Sequence, residues 1–276
     1  MPRHTVLAGA PLLIAHRGGS GLAPENTLTA FRSAADVWAA DMIELDVHAT
    51  ADRRCVVIHD PAVDRTTNGA GTVARLTLAE LQALDAGHRF TRDGGATFPF
   101  RDRGVRIPTI DEVLEVLPTM RFTIEVKAAA AQTPLFAAIE RSGARDRVIA
   151  AGMHVRNRTQ FPEYRGAVSA SVEELRRYYV KHRLGLGRWT RPRADVVQIP
   201  EEWDGRRVIS QRLVRDLAAQ GVPVHVWTID DPADMHRLLD WGVEGLITDR
   251  PDTLAAVLYE RVARPLPPGL AASPPE

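Results

Sequence analysis

The sequence predicts an α/β chain folded as a TIM (β/α)8 barrel, with a β-hairpin extension and a small insertion subdomain after the second strand. Three observations carry this expectation. Short β-branched runs alternate with helical patterns from end to end, as a parallel α/β architecture requires. The runs that keep this alternation number eight, the count that closes a barrel. The length, 276 residues, suits one barrel domain, for which about 250 is typical.

The first run is LLIAH (12–16). Early positive charge and an apolar stretch precede it, but Pro11 interrupts that stretch, so the chain is expected to open on a strand and not on a secretory leader. The run stops on His16-Arg17, and Gly18, Gly19 and Gly21 then allow a sharp turn and a close approach to a ligand. Asn26 or Thr27 is expected to cap a helix running to about Ala40. The second run is MIELDV (42–47).

A ninth strand-like run, RCVVIHD (54–60), follows too soon for a parallel crossover, which needs about a dozen residues. It is therefore expected to return antiparallel, turning at Asp52-Arg53. If those two form the loop, Ala51 pairs with Arg54 and the register sets Asp46 opposite His59. Residues 61–108 hold one capped helix, TLAELQALDAG with a Thr77/Glu80 capping box, among Gly-, Arg- and Asp-rich loops. They are expected to form an insertion over the barrel mouth.

FTIEVK (122–127), RVIAAG (147–152), AVSAS (167–171), DVVQIP (195–200), VHVWTI (224–229) and EGLITD (244–249) complete the eight. TIDEVLEVL carries a Thr109/Glu112 capping box, and the amphipathic VISQRLVRDLAAQ stops at Gly221. PADMHRLLDWG and DTLAAVLYERVA supply the last two helices. The basic, aromatic-containing stretch 175–193 reads as a solvated helix face and return loop, on the side of the barrel away from the active site. One domain is expected over 1–264, with a disordered Pro-rich tail over 265–276.

Lys plus Arg and Asp plus Glu balance at 35 each, so no global field recruits nucleic acid or an anionic membrane. No apolar run approaches the ~20 residues of a membrane helix, which argues against stable membrane insertion and makes the cytoplasm the default compartment. The lone Cys55 has no disulfide partner and reads as a small buried strand residue.

Alternation along a strand puts Glu44 and Asp46 on one face, and Glu125 and Lys127 on one face. Three carboxylates and a lysine would be ruinous inside an apolar core. At a barrel rim they suit a hard divalent cation, which takes oxygen ligands. His16 and His59 arrive at the same rim. His48 shares the parity of Glu44 and Asp46 but lies further out, and receives no role.

The motifs HRGGSGLAPENT, ELDVHAT, VVIHDPAVDRTTNGAG, IEVK, VWTID and GLITDRPD resemble, in order, those of the glycerophosphodiester phosphodiesterase family, within the phospholipase-C-like barrel phosphodiesterases. The likeness runs from about Leu13 to Asp252. It implies metal-dependent hydrolysis of small-molecule glycerophosphodiesters to glycerol 3-phosphate and an alcohol, with one divalent cation, Mg²⁺ or Ca²⁺. By position it implies His16 and His59 as the acid/base pair and Glu44, Asp46 and Glu125 as metal ligands. Arg17 and Lys127 would hold phosphate oxygens, and Trp227 would line the pocket beside the alcohol or glycerol portion.

The chemistry needs these residue types independently. A phosphodiester anion resists nucleophiles until positive groups offset its developing charge, and imidazole can give or accept a proton near neutral pH. Which histidine is acid stays open. So does the nucleophile: water, or the neighbouring glycerol hydroxyl by way of a cyclic phosphate. Two further readings keep the fold, a lysophospholipase D or cyclising lyase on a lipid diester, and a catalytically inactive phosphodiester sensor. A lipid reading needs an apolar groove, for which the insertion offers Phe90, Phe98 and Phe100. Gly152-Met153-His154 stands where the family often has Ser-Phe, and His154 is expected to be an ordinary loop residue.

Overall fold

The computed structural model describes residues 4–271. Each of the eight expected runs forms a strand of one curled parallel sheet. These are β1 (Leu12–Ala15), β2 (Met42–Ala49), β4 (Arg121–Val126), β5 (Val148–Ala151), β6 (Ala167–Val168), β7 (Val197–Pro200), β10 (Val224–Trp227) and β11 (Gly245–Thr248). The spatial order β6-β5-β4-β2-β1-β11-β10-β7 sets chain neighbours side by side and joins the last barrel strand to the first. A parallel bridge between Ser169 and Val196 links the two ends, with Ala170 N–H donating to the Val196 carbonyl at 3.0 Å.

Strand parity divides the apolar residues. Leu13, Ala15, Ile43, Leu45, Val47, Phe122, Ile124 and Val126 join the large cluster beneath the helices. Their alternates Leu12, Ile14, Met42, Ile149, Ala167, Val196 and Ile247 form a separate cluster that fills the barrel interior. Val6 and Leu7, from the Thr5–Leu7 turn, belong to that interior cluster and close the end where the strands begin. Arg121, opening β4, fixes this plug by donating to the Val6 and Ala8 carbonyls.

The helices sit between the strands as the capping signals require. Thr27 caps α1 (Leu28–Arg32), which continues as a π-turn to Val37. Asn26 does not cap; it has φ 57° and turns its side chain to Asp46. Both expected capping boxes are present, Thr77/Glu80 on α2 (Leu78–Gln82) and Thr109/Glu112 on α3 (Ile110–Val116). Next come α4 (Gln132–Arg141) and α5 (Val172–Arg183), the latter opened by a third box, Ser171/Glu174. A two-stranded hairpin, β8 (Glu202–Trp203) with β9 (Arg206–Arg207), precedes α6 (Gln211–Ala218). Then α7 (Pro232–Asp240) and α8 (Pro251–Val262) close the circuit.

The antiparallel arm exists as β3 (Cys55–Val57), but its register is one residue from the expected one. Ala49 pairs with Cys55 and Val47 with Val57, which brings Asp46 opposite Ile58 and not His59. The loop has three residues, not two: Thr50 N–H donates to the Arg54 carbonyl, and Arg53 takes φ 60°. A left-handed third residue is the usual way a three-residue hairpin closes.

Residues 61–108 have a small core of their own, in which Val63, Val73, Leu81, Val105 and Ile107 pack on Val56 and Ile58. Within the tail expected to be disordered, Pro268–Ala271 form a helical turn, α9, whose Leu270 packs on the main core. Residues 272–276 of that tail lie outside the described residues. Cys55 is buried, as expected, and burial pushes its thiol well above the usual range.

Candidate active site

The strands deliver their polar residues at one end. Continuing the inward parity of β1 past Ile14 gives His16; on β2 it gives Glu44 and Asp46, and on β4 Glu125 and then Lys127. Asp46 and Glu125 are register partners. All eight residues singled out from the sequence, His16, Arg17, Glu44, Asp46, His59, Glu125, Lys127 and Trp227, line one cavity of about 500 Å³.

Each histidine is held by a carboxylate. His16 Nδ1 lies 2.6 Å from Asp249 Oδ1, and His59 Nδ1 lies 2.6 Å from Asp60 Oδ1. An ionised carboxylate only accepts, so each Nδ1 carries the proton and each Nε2 is left for a ligand. His16 Nε2 stands 3.8 Å from Glu44 Oε2. Burial works against protonating His16, but the hydrogen bond to Asp249 and the charge of Glu44 outweigh it and raise its pKa. His48 donates from Nε2 to the His59 carbonyl at 3.1 Å and so fixes the segment that bears His59.

Arg17 occupies the left-handed region at φ 49° and is locked on three sides. Its N–H donates to Glu44 at 3.0 Å, its carbonyl accepts from Asn26, and its Nη1 donates to Glu25 at 2.8 Å. Its Nε is buried and faces Asp46 Oδ2 at 3.4 Å, an ion pair without hydrogen-bond geometry. Gly18, with φ +86°, lets the chain pass against α1: a Cβ there would lie 2.7 Å from the Phe31 ring.

Glu44, Asp46 and Glu125 each offer an oxygen within 4.8 Å of the others. Lys127 Nζ bridges two of them, 3.0 Å from Asp46 and 2.9 Å from Glu125. Burial raises the Asp46 carboxyl, but Lys127 and Arg17 outweigh it and hold it low. Glu44 receives less compensation: burial, and next the charge of Asp46, push it up to about 7. Three hard oxygen donors, with more buried negative charge than Lys127 and Arg17 neutralise, fit a divalent cation.

Sequence reasoning missed several contributors. Asp249 stands in the quoted GLITDRPD motif without a role, and Asp60 directly follows His59. Glu25, from PENT, ties Arg17 to Arg65 of the insertion, which also binds Asp60. His154 pairs loosely with Glu173 at 3.3 Å and does not line the cavity.

One placement is overturned. The stretch 175–193 does not lie wholly away from the site, because Leu175, Arg176, Tyr179 and Val180 line the cavity. β6 has two residues, and only Ser169–Ser171 separate it from α5, so the helix starts at the rim and its first turns stand beside the mouth. No residue of 61–108 lines the cavity. Of the insertion's aromatic residues, Phe90 and Phe100 pack edge to face and Phe98 lies under Arg101.

Residues 16–253 match the model of the glycerophosphoryl diester phosphodiesterase family. A glycerophosphodiester phosphodiesterase of Caldanaerobacter subterraneus subsp. tengcongensis is 36% identical over 262 residues, covering 88% of this chain and 96% of its own length. The crystal structure of a glycerophosphoryl diester phosphodiesterase domain from Mycobacterium tuberculosis superposes with TM-score 0.80 at 22% identity, over 92% of this chain and all of that one. An Oleispira antarctica phosphodiesterase, solved with its product sn-glycerol-3-phosphate, gives TM-score 0.73 at 24% identity, over 92% of this chain and 98% of that one. Spanning nearly the whole barrel in both sequence and shape, these matches show that the chain is a phosphodiester hydrolase belonging to the glycerophosphoryl diester phosphodiesterase family.

Proposed function

We propose that this chain hydrolyses glycerophosphodiesters to glycerol 3-phosphate and an alcohol. Glu44, Asp46 and Glu125 would hold one Mg²⁺ or Ca²⁺, and His16 and His59 form the acid/base pair. The observation that carries this is the meeting, in one cavity, of two carboxylate-held imidazoles, the acidic triad and the Arg17 and Lys127 cations. The product bound to the Oleispira relative supports the same chemistry. A small-molecule substrate and a cytoplasmic setting belong to this reading; among the described residues no helix is long and apolar enough to cross a membrane.

The divalent cation would supply positive charge at a non-bridging phosphate oxygen. Arg17 and Lys127 bind and orient the phosphate and offset charge that grows in the transition state. One imidazole takes the nucleophile's proton at Nε2, and the other gives its Nε2 proton to the departing alkoxide. Asp249 and Asp60 keep each ring in the tautomer and orientation this needs. Trp227 covers one side of the bound diester.

The test is turnover of a soluble glycerophosphodiester. His16→Ala and His59→Ala should each lower kcat by about a hundredfold or more, the usual scale of acid–base catalysis, with unchanged circular dichroism. Chelation should abolish turnover, and Mg²⁺ or Ca²⁺ should restore it and raise the thermal midpoint. In Glu44→Gln that rise should shrink. Near-wild-type kcat in either alanine variant, or activity indifferent to chelator, overturns the assignment.

A further inference from the structure

The cavity has two unlike halves, and the reaction proposed above uses only one. Its ionic half holds the histidines, the acidic triad, Arg17 and Lys127. The other half is walled by Val172, Leu175, Tyr179 and Val180 from α5, and by Trp203 and Val208 from the segment around the β8–β9 hairpin. The hairpin is a two-residue turn with both central residues left-handed, Asp204 at φ 49° and Gly205 at φ 69°, and it sets Trp203 at the mouth. Val180 is 59% exposed and Trp203 38% exposed, although large apolar side chains gain nothing from water. Beyond them the apolar line continues along α5 to Leu184, one turn on and 71% exposed.

Such a wall is out of place for a small, fully polar alcohol. Exposed apolar surface continuous with a reaction site marks a place where an apolar ligand group is buried. The charge pattern narrows the choice. The charged side chain that α5 and the hairpin contribute to this half is Arg176, a cation, and neither brings a carboxylate into it. A positively charged amino alcohol would meet like charge here with no acid to pair with.

We propose that this half is the subsite for a neutral, aliphatic arm of the phosphodiester, a chain of several carbons lying along α5 and under Trp203. The proposal rests on the phosphodiesterase reading and deepens it. Val180 and Trp203 are then specificity-determining residues, placed to favour a hydrophobic alcohol over a hydrophilic one of equal charge.

The experiment is a homologous series: glycerophosphoethanol, -butanol, -hexanol and -octanol, with glycerophosphocholine alongside, all below their aggregation concentrations. kcat/KM should rise roughly three- to fourfold per methylene until the wall is covered, as full burial of a methylene implies. Glycerophosphocholine should fall below the butanol diester. Val180→Asp, at an exposed helix position that tolerates charge, and Trp203→Ala should each flatten the slope of the series. A flat wild-type series, glycerophosphocholine as the best substrate, or an unchanged slope in both variants overturns the subsite and leaves the phosphodiesterase reading standing. No turnover of any member, with metal supplied, overturns that reading and the subsite with it.

Discussion

The two imidazoles differ in how their supporting carboxylates are held, and that difference is open to measurement. Asp249 is partly buried and also accepts from Ser20 Oγ. Asp249→Asn should lower kcat by about a hundredfold or more, because an amide can hold the wrong tautomer. It should also move the pH–rate limb belonging to His16 to lower pH, since the Asp249 hydrogen bond raises that pKa. Asp60 is held down to about 2, first by its hydrogen bond from Arg65 and, against some burial, by that from His59. A carboxyl lowered by folding stabilises the protein above its unfolded pKa, about 4, and loses that contribution as pH falls towards 2. The urea midpoints of wild type and Asp60→Asn should therefore differ most above pH 4 and converge as pH falls; a constant gap would contradict the linkage. Cys55 should resist alkylation in the native protein and react once unfolded, because it is 3% exposed and held as the thiol.

Among the elements, those announced by local chemistry formed where the sequence puts them. Thr109 closes α3 reciprocally with Glu112, and Thr109→Ala should cost about 0.5–2 kcal/mol in chemical denaturation, the usual worth of an N-cap. Thr77 and Glu80 behave alike, since a capping box is readable within four residues. The hairpin register was not readable this way. Asp52-Arg53 looks like a two-residue loop, but the Thr50 hydroxyl accepts from Arg54 N–H and pulls a third residue into the turn. His59 still reaches the site because β3 ends at Val57 and the chain beyond it is irregular, anchored by His48 and Asp60. The position of α5 is not legible in the sequence for a different reason. Its sequence shows a capped helix but not its inclination, and a strand of two residues leaves its first turns beside the mouth.

At the scale of the molecule, the barrel is plugged at one end and carries the candidate site at the other. Leu7 is buried in the interior cluster at the plugged end. Leu7→Ala should cost about 2–5 kcal/mol, the range for a core leucine, while kcat at low temperature stays unchanged. A matching loss of kcat would mean that the plug and the rim are coupled.

The sequence by itself determined the eight strands, most helix starts and the eight candidate site residues, because alternation, capping and turn chemistry act within a few positions of the chain. Parity alone was enough to set Glu44 with Asp46, and Glu125 with Lys127. Only the tertiary structure decided which distant residues complete the site. Ile14 pairs with Ile247 where the last strand closes on the first, and two residues further along the same register Asp249 meets His16. That partnership spans 233 positions and exists only because the sheet curls into a ring, which no local pattern encodes. The apolar wall of α5 and Trp203 is likewise a product of inclination and closure, the packing of one layer on another, and not of anything written within a single element.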